Sequence, residues 1–247
     1  MKKIIFSVLA LLMGAGALTG CSSWIEEDPE SLITDDMLGD SEDAAKQWVT
    51  GVYSKWVNDM FRWGYFPRML EQDADYISGP DWLFGTFGAG NFQGEPEVPD
   101  ALWNGCYNLI GRANLAEREI RAMNDISDAV KNNAIGEVKF HKAFAYFLLV
   151  RAYGPVPVQP EVDTEDKNEP RQSVDSVYNY IISNLEDAAG MMYKNTDGGY
   201  EAGHVNAGSA AGLLAKVYAT MASAAMPVGT QVTVRTGPAY NGTDDNK

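Results

Sequence analysis

A glycine- and proline-rich stretch, residues 79–100, holds the side chains of this sequence that are best suited to contact a ligand. Its sequence is GPDWLFGTFGAGNFQGEPEVPD. The aromatic residues in it are Trp82, Phe84, Phe87 and Phe92, and the amides Asn91 and Gln93 flank Phe92. Aromatic side chains on a loop either fill the core of the neighbouring helices or present their faces to a partner. The apolar face of a sugar ring stacks on such side chains, and its hydroxyl groups bond to amides, so both roles are open.

A carboxylate cluster, Glu71, Asp73 and Asp75, precedes this loop. A glycosidase needs two carboxylates at a set separation, which spacing in the sequence does not give. A calcium-binding EF-hand is excluded because the position that needs a glutamate holds Phe84. Helix capping or exposure to solvent is therefore favoured over catalysis, and we predict no catalytic residue.

The two histidines, His141 and His204, do not lie in a metal-ligand spacing with another His or a Cys. For His141 we expect a role in the core or at its edge. The glycines between residues 85 and 94 do not form a dinucleotide-binding motif, because Gln93 stands where the last glycine is required. We therefore expect neither a metal nor a cofactor.

The first twenty residues have the features of a secretory signal, with Lys2 and Lys3 before an apolar run and small residues at its end. The motif Leu18-Thr19-Gly20-Cys21 resembles a bacterial lipobox, which implies cleavage after Gly20 and a lipid on Cys21. The acidic run that follows resembles the signal that exports some lipoproteins to the outer face of the outer membrane, although a solvated linker has the same composition. The other cysteine, Cys106, is expected to be a buried thiol.

The composition is that of a globular protein, with 45% hydrophobic and 21% charged residues. The formal net charge of −15 argues against a nucleic-acid partner, since such a partner requires a basic surface. Neutral ligands or basic protein surfaces fit this charge better.

Apolar residues recur at helical spacing in five segments between residues 41 and 225. Ser41 and Ser173 are expected to cap the first and fourth helices, and Gly154-Pro155 to end the third. The apolar run Phe140–Val158 begins in the third helix and is too short to span a membrane, since a span needs ~20 apolar residues. On this helix we expect one inward stripe, formed by Phe140, Ala143, Phe144, Phe147 and Leu148. On the fifth helix we expect Ala207, Ala210, Ala211, Leu214, Val217, Tyr218 and Met221 to face inward. These elements predict an all-α architecture of helix pairs, with a short strand only at Gln231–Val234.

The order of several motifs resembles the SusD/RagB family of nutrient-uptake lipoproteins. They are Trp103...Tyr107...Ile110...Arg112...Asn114, the segment from Glu137 to Pro157, Arg171-Gln-Ser173 before Val177-Tyr178, and Ala210-Ala211...Leu214-Ala215-Lys216-Val217-Tyr218. The resemblance runs from the lipobox to about Ser223. Two positions depart from the family pattern: Lys142-Ala143 replaces the usual Arg-Ala, and Asn184-Leu185 replaces Asp-Leu.

The resemblance implies a lipoprotein on the outer membrane, facing outside, that is built on tetratricopeptide-like helix pairs in an α-solenoid. It implies that the protein captures a glycan or other nutrient and delivers it to a SusC-like TonB-dependent transporter. The expected organisation is a signal peptide at 1–20, an acidic linker at 21–40, a helical domain at 41–225, and the start of an apparently missing C-terminal half at 226–247. A helical scaffold that binds only proteins is the alternative, and a glycan hydrolase is the least favoured.

Overall fold

The computed structural model describes residues 39–61, 97–159 and 169–224. These residues contain five α-helices, which are α1 (Glu42–Lys55), α2 (Glu97–Ala122), α3 (Asp128–Tyr153), α4 (Val174–Met191) and α5 (Ala207–Ala224). Helix α1 continues into a π-helical turn, Trp56–Met60. Within the described ranges, the only strand-like pairing is an antiparallel bridge between Pro157 and Arg171. The all-α prediction is thus confirmed, while the strand expected at 231–234 lies outside the described residues.

Polar caps define where the helices begin. The side chains of Ser41 and Ser173 accept hydrogen bonds from the backbone N–H groups of Ala44 and Ser176, each at 3.1 Å, as the sequence predicts. These bonds satisfy N–H groups that have no partner within the helix. Helix α3 ends at Gly154, whose φ of 75° favours glycine.

Helix α3 lies at the centre of the described structure and packs against α1, α2 and α4. It is buried on almost every side from Ala134 to Val150. The sequence predicted one inward stripe that includes Phe144, but Ala145, Tyr146 and Leu149 are fully buried while Phe144 is partly exposed. Because neighbours surround α3, its apolar residues follow no single face.

Helix α5 packs mainly against α4. Ala210, Val217 and Met221 are buried on it, as expected. Ala211 and Tyr218 are exposed, however, so the expectation that they face inward was wrong. The described neighbours cover only one face of this helix.

A buried ion pair joins α2 to α3. Lys142 Nζ lies 2.7 Å from Glu117 Oε2 and 3.2 Å from Asn114 Oδ1, and both charged residues are almost completely buried. Burial alone would raise the pKa of Glu117, but Lys142 and Arg121 together hold that pKa below its usual value. Lys142, one of the two departures from the family pattern, therefore has a defined structural partner.

We expect Lys142→Met to destabilise the fold by about 3 kcal/mol, because it removes the buried cation from Oε2 of Glu117, while Arg121 pairs with Oε1. Lys142→Arg keeps the charge and should retain most of the stability. Urea unfolding of the three proteins measures the difference.

The exposed Lys216 provides the matched control, since Lys216→Met should change the unfolding free energy by no more than about 0.5 kcal/mol. Adding Glu117→Gln to Lys142→Met should recover part of the loss. A Lys142→Met protein as stable as the parent would show that the pair does not stabilise the contact between α2 and α3.

Candidate functional site

The sequence-predicted site residues lie outside the described residues. This applies to Cys21, to the loop residues Trp82, Phe84, Phe87, Asn91, Phe92 and Gln93, and to the carboxylates Glu71, Asp73 and Asp75. The two histidines are described, and the structure brings both of them close to one cluster around α3.

A cleft of about 400 Å³ opens between α1, the first half of α3 and the segment 193–205 that leads from α4 to α5. We call it the α1–α3 cleft. Its apolar lining residues are Ala45, Val49, Val130, Ala134 and Val205. Two phenol rings, Tyr193 and Tyr200, and the charged side chains of Glu42, Lys46 and Glu201 also line it. A cleft of this size and mixed character falls within the usual range of about 300–1,000 Å³ for small-molecule sites.

Glu137 is the polar centre beside this cleft. Its Oε2 accepts a hydrogen bond from the Tyr53 hydroxyl at 2.9 Å and lies 2.7 Å from Nδ1 of His204. Its Oε1 accepts from the Asn133 side chain at 2.8 Å. One buried carboxylate therefore connects α1, α3 and the segment 193–205.

Further bonds fix the segment 193–205 against the helices. The backbone N–H of Val205 donates to the Tyr53 hydroxyl, and that of Tyr193 donates to Asn133 Oδ1, both at 2.8 Å. Ala207 N–H donates to the Tyr193 carbonyl at 2.9 Å. Each contact satisfies a backbone or side-chain group that would otherwise lose its hydrogen bond to water.

Burial dominates the electrostatics of this cluster. It raises the pKa of Glu137 although His204 and Tyr53 act in the opposite direction. Burial also raises the pKa of Tyr53 well above its usual value, and the neighbouring Glu137 carboxylate adds to that shift. Tyr53 is therefore neutral at physiological pH and serves as a hydrogen-bond donor.

His141 lies one turn further along α3, in the core that the sequence predicts for it. Its Nδ1 accepts a hydrogen bond from Trp56 Nε1 at 3.0 Å, and its ring packs edge-on against Tyr53 with a centroid separation of 4.2 Å. Its Nε2 is buried and has no hydrogen-bond partner among the described residues. Burial lowers the pKa of His141 to about 3, so the ring is neutral at physiological pH.

The described residues contain no group of three His, Cys, Asp or Glu side chains that could hold a metal ion. Within the same ranges, no helix is both long and apolar enough to cross a membrane. Cys106 is buried, as the sequence predicts, and burial raises the pKa of its thiol.

Sequence reasoning missed the cluster around Glu137. Tyr53 and His204 lie 84 and 67 residues away from Glu137 in the sequence, and no spacing rule connects such positions. The only available signal was that polar and charged residues, Glu137 and His141 among them, interrupt the apolar run of the third helix. Each of them needs a partner if the run is buried.

The family model for SusD-like proteins, described as "Starch-binding associating with outer membrane", matches residues 23–219. A SusD-like protein of Formosa agariphila is 28% identical over 199 residues, which cover 76% of this chain and 38% of that relative. The chain spans about two fifths of the length of the curated relatives that it matches first.

Solved structures of similar proteins share the fold. A SusD homologue from Bacteroides thetaiotaomicron has a TM-score of 0.67 at 23% identity, covering 78% of this chain and 39% of that structure. A structure determined with a xylogluco-oligosaccharide has a TM-score of 0.60 at 25% identity, covering 73% of this chain and 35% of that structure. The tetratricopeptide-like, SusD-like helical architecture predicted from the sequence is thereby confirmed.

The neutral state of His141 predicts a pH-dependent stability. Its folded pKa of about 3 lies below the usual value of 6.5. Below pH 6.5 the unfolded chain binds a proton at His141 and the folded chain does not. The free energy of unfolding therefore falls as the pH drops from 6.5 toward 3, by up to about 1.4 kcal/mol per pH unit. His141→Asn places an oxygen near the Nδ1 position, so it keeps an acceptor for Trp56 and does not titrate.

We expect the variant to be less stable at pH 7, because it leaves a small cavity, and this deficit to shrink between pH 6.5 and 4. Urea unfolding at each pH measures it. If the unfolding free energies of the parent and of His141→Asn changed in parallel with pH, His141 would not be held neutral by burial.

Proposed function

The chain belongs to the SusD-like family, and from this membership we propose that it binds a glycan or other nutrient at the outer membrane and delivers it to a SusC-like TonB-dependent transporter. The match of the family model to residues 23–219 carries this proposal. We propose binding without catalysis, in keeping with the description of the family as starch-binding.

A glycan ligand agrees with two further observations. One similar structure was determined with a xylogluco-oligosaccharide. The net charge of −15 also suits a neutral ligand better than an anionic one, because like charges repel.

For attachment, we propose that residues 1–20 are removed after Gly20, that Cys21 carries the lipid, and that residues 21–40 link the anchor to the helical domain. The protein would then lie on the outer membrane and face outside. Several acyl chains on one residue give stable anchoring, whereas one chain gives only marginal binding.

For ligand contact, we propose the loop residues Trp82, Phe84, Phe87, Asn91, Phe92 and Gln93. Aromatic faces and amide groups within a few residues of each other suit the apolar and polar sides of a sugar ring. The loop would add the specific contacts that the helices alone do not supply.

Isothermal titration with a panel of neutral oligosaccharides tests the binding function. We expect at least one of them to bind, and Trp82→Ala to weaken that binding about 2- to 12-fold, because it removes a stacking face worth roughly 0.5–1.5 kcal/mol.

Trp24→Ala, in the proposed linker, is the control and should leave the affinity unchanged. Retention of a TonB-dependent barrel together with no binding to any glycan would favour the protein-binding scaffold instead.

Cys21→Ser tests the anchor. In cells that express the full chain, the variant should lose incorporation of labelled palmitate and move from the membrane fraction to the soluble fraction, because the thiol that accepts the lipid is gone. Cys106→Ser serves as the control and should stay with the membrane. Continued labelling of the Cys21→Ser protein would overturn the assignment.

A further inference from the structure

We propose that the α1–α3 cleft is a binding site for a neutral sugar chain, in addition to any contacts that the loop 79–100 makes. This inference rests on the proposed function, since it assumes that the protein takes a glycan. The cleft volume of about 400 Å³ accommodates about two sugar rings.

The lining of the cleft matches the two sides of a sugar ring. The half-buried rings of Tyr193 and Tyr200, with Val130 and Val205, suit C–H faces, while the carboxylates of Glu42 and Glu201 suit pairs of hydroxyl groups. Lys46 Nζ lies 4.0 Å from Glu201 Oε2, and the two side chains are 62% and 60% exposed. An ion pair of this kind contributes little stability, so both groups remain available to a ligand.

Charge selects a neutral ligand over an anionic one. The carboxylates of Glu42, Glu137 and Glu201 line the cleft against the ammonium group of Lys46 and the imidazole of His204. An acidic sugar would approach Glu42 and Glu201 with the same sign of charge. Neutral hydroxyl groups meet no such penalty and can both donate and accept hydrogen bonds.

The wall of the cleft is held in place before any ligand arrives. Segment 193–205 contains three glycines, Gly198, Gly199 and Gly203, yet it is fixed at both ends by bonds to Asn133, Glu137 and Tyr53. A Cβ atom at Gly199 would lie 2.7 Å from the Tyr193 ring, so the backbone covers one side of that ring closely. A wall fixed in this way loses less entropy on binding than a free loop would.

The buried carboxylate of Glu137 also indicates that the wall of the cleft is fixed before a ligand binds. Replacing a buried charged group by a well-packed apolar one is often neutral or stabilising. Glu137 is nevertheless buried, and its partners Tyr53, Asn133 and His204 hold the segment that forms one wall. Its clearest effect is therefore to position Tyr200 and Glu201 beside α1.

The test uses the full chain, isothermal titration, and amide NMR shifts of Gly198 and Gly199. The probes are neutral oligosaccharides of glucose, xylose and mannose, a polygalacturonate fragment, and a lysine-containing peptide. We expect a neutral oligosaccharide to shift both glycine amides and to bind more tightly than the other two probes. Tyr200→Ala should weaken its binding about 5- to 10-fold by removing one aromatic contact.

Glu201→Gln is the second variant, and because Glu201 is exposed, its fold should be unaffected. It should weaken neutral-sugar binding about 2- to 5-fold, since a hydrogen bond to a carboxylate is stronger than one to an amide. Tyr218→Ala, at an exposed tyrosine on α5, is the matched control and should bind as the parent does.

The outcomes separate the two proposals. If Trp82→Ala abolishes binding while Tyr200→Ala and Glu201→Gln leave it unchanged, the cleft is overturned and glycan binding stands. If no neutral oligosaccharide binds, both proposals fail. If the peptide or the polygalacturonate fragment binds in the cleft more tightly than every neutral sugar, the assigned ligand class is wrong.

Discussion

Polar groups inside helix α3 place the strongest constraint on this structure. The helix is surrounded by α1, α2 and α4, and it nevertheless buries Glu137, His141 and Lys142. Leaving such a group without a partner costs several kcal/mol, roughly as much as a whole domain can lose before it unfolds. Each side chain therefore needs a partner, and each has one on a different element, although Nε2 of His141 stays unpaired among the described residues.

These pairings determine how the helices fit together. Lys142 fixes α3 against α2 through Glu117, His141 fixes it against the π-helical turn through Trp56, and Glu137 fixes it against α1 through Tyr53. Apolar contacts alone tolerate a shift of packing at modest cost. A shift that separated these groups would break buried hydrogen bonds, so the polar residues specify one arrangement among several that hydrophobic burial would allow.

The sequence predicts the helices well because their signals are local. Spacing of apolar residues, Ser41 and Ser173 as caps, and Gly154 as a stop each act within a few residues. The one-sided pattern assumed for α3 was incomplete because the helix is central, and Tyr218 was misplaced because α5 has described neighbours on only one face. The contacts of Glu137 could not be predicted, since they depend on how distant segments meet. The aromatic loop stays a prediction.

Helix spacing and caps act within a few residues, whereas contacts such as those of Glu137 join distant segments. This difference indicates where specificity for a ligand can arise in such a protein. Helical spacing and caps fix a framework that solved structures of similar proteins share at 23% to 25% identity. Such spacing does not determine which ligand is bound, because many different sequences satisfy it. Segment 193–205 is different: its ends are bound to Asn133 and to the buried Glu137, while Tyr200 and Glu201 between them line the cleft and lie outside the buried core. At the proposed sugar site, substitutions in this segment would alter ligand contacts at small cost to the fold, so a change of ligand would leave the buried groups of α3 the same.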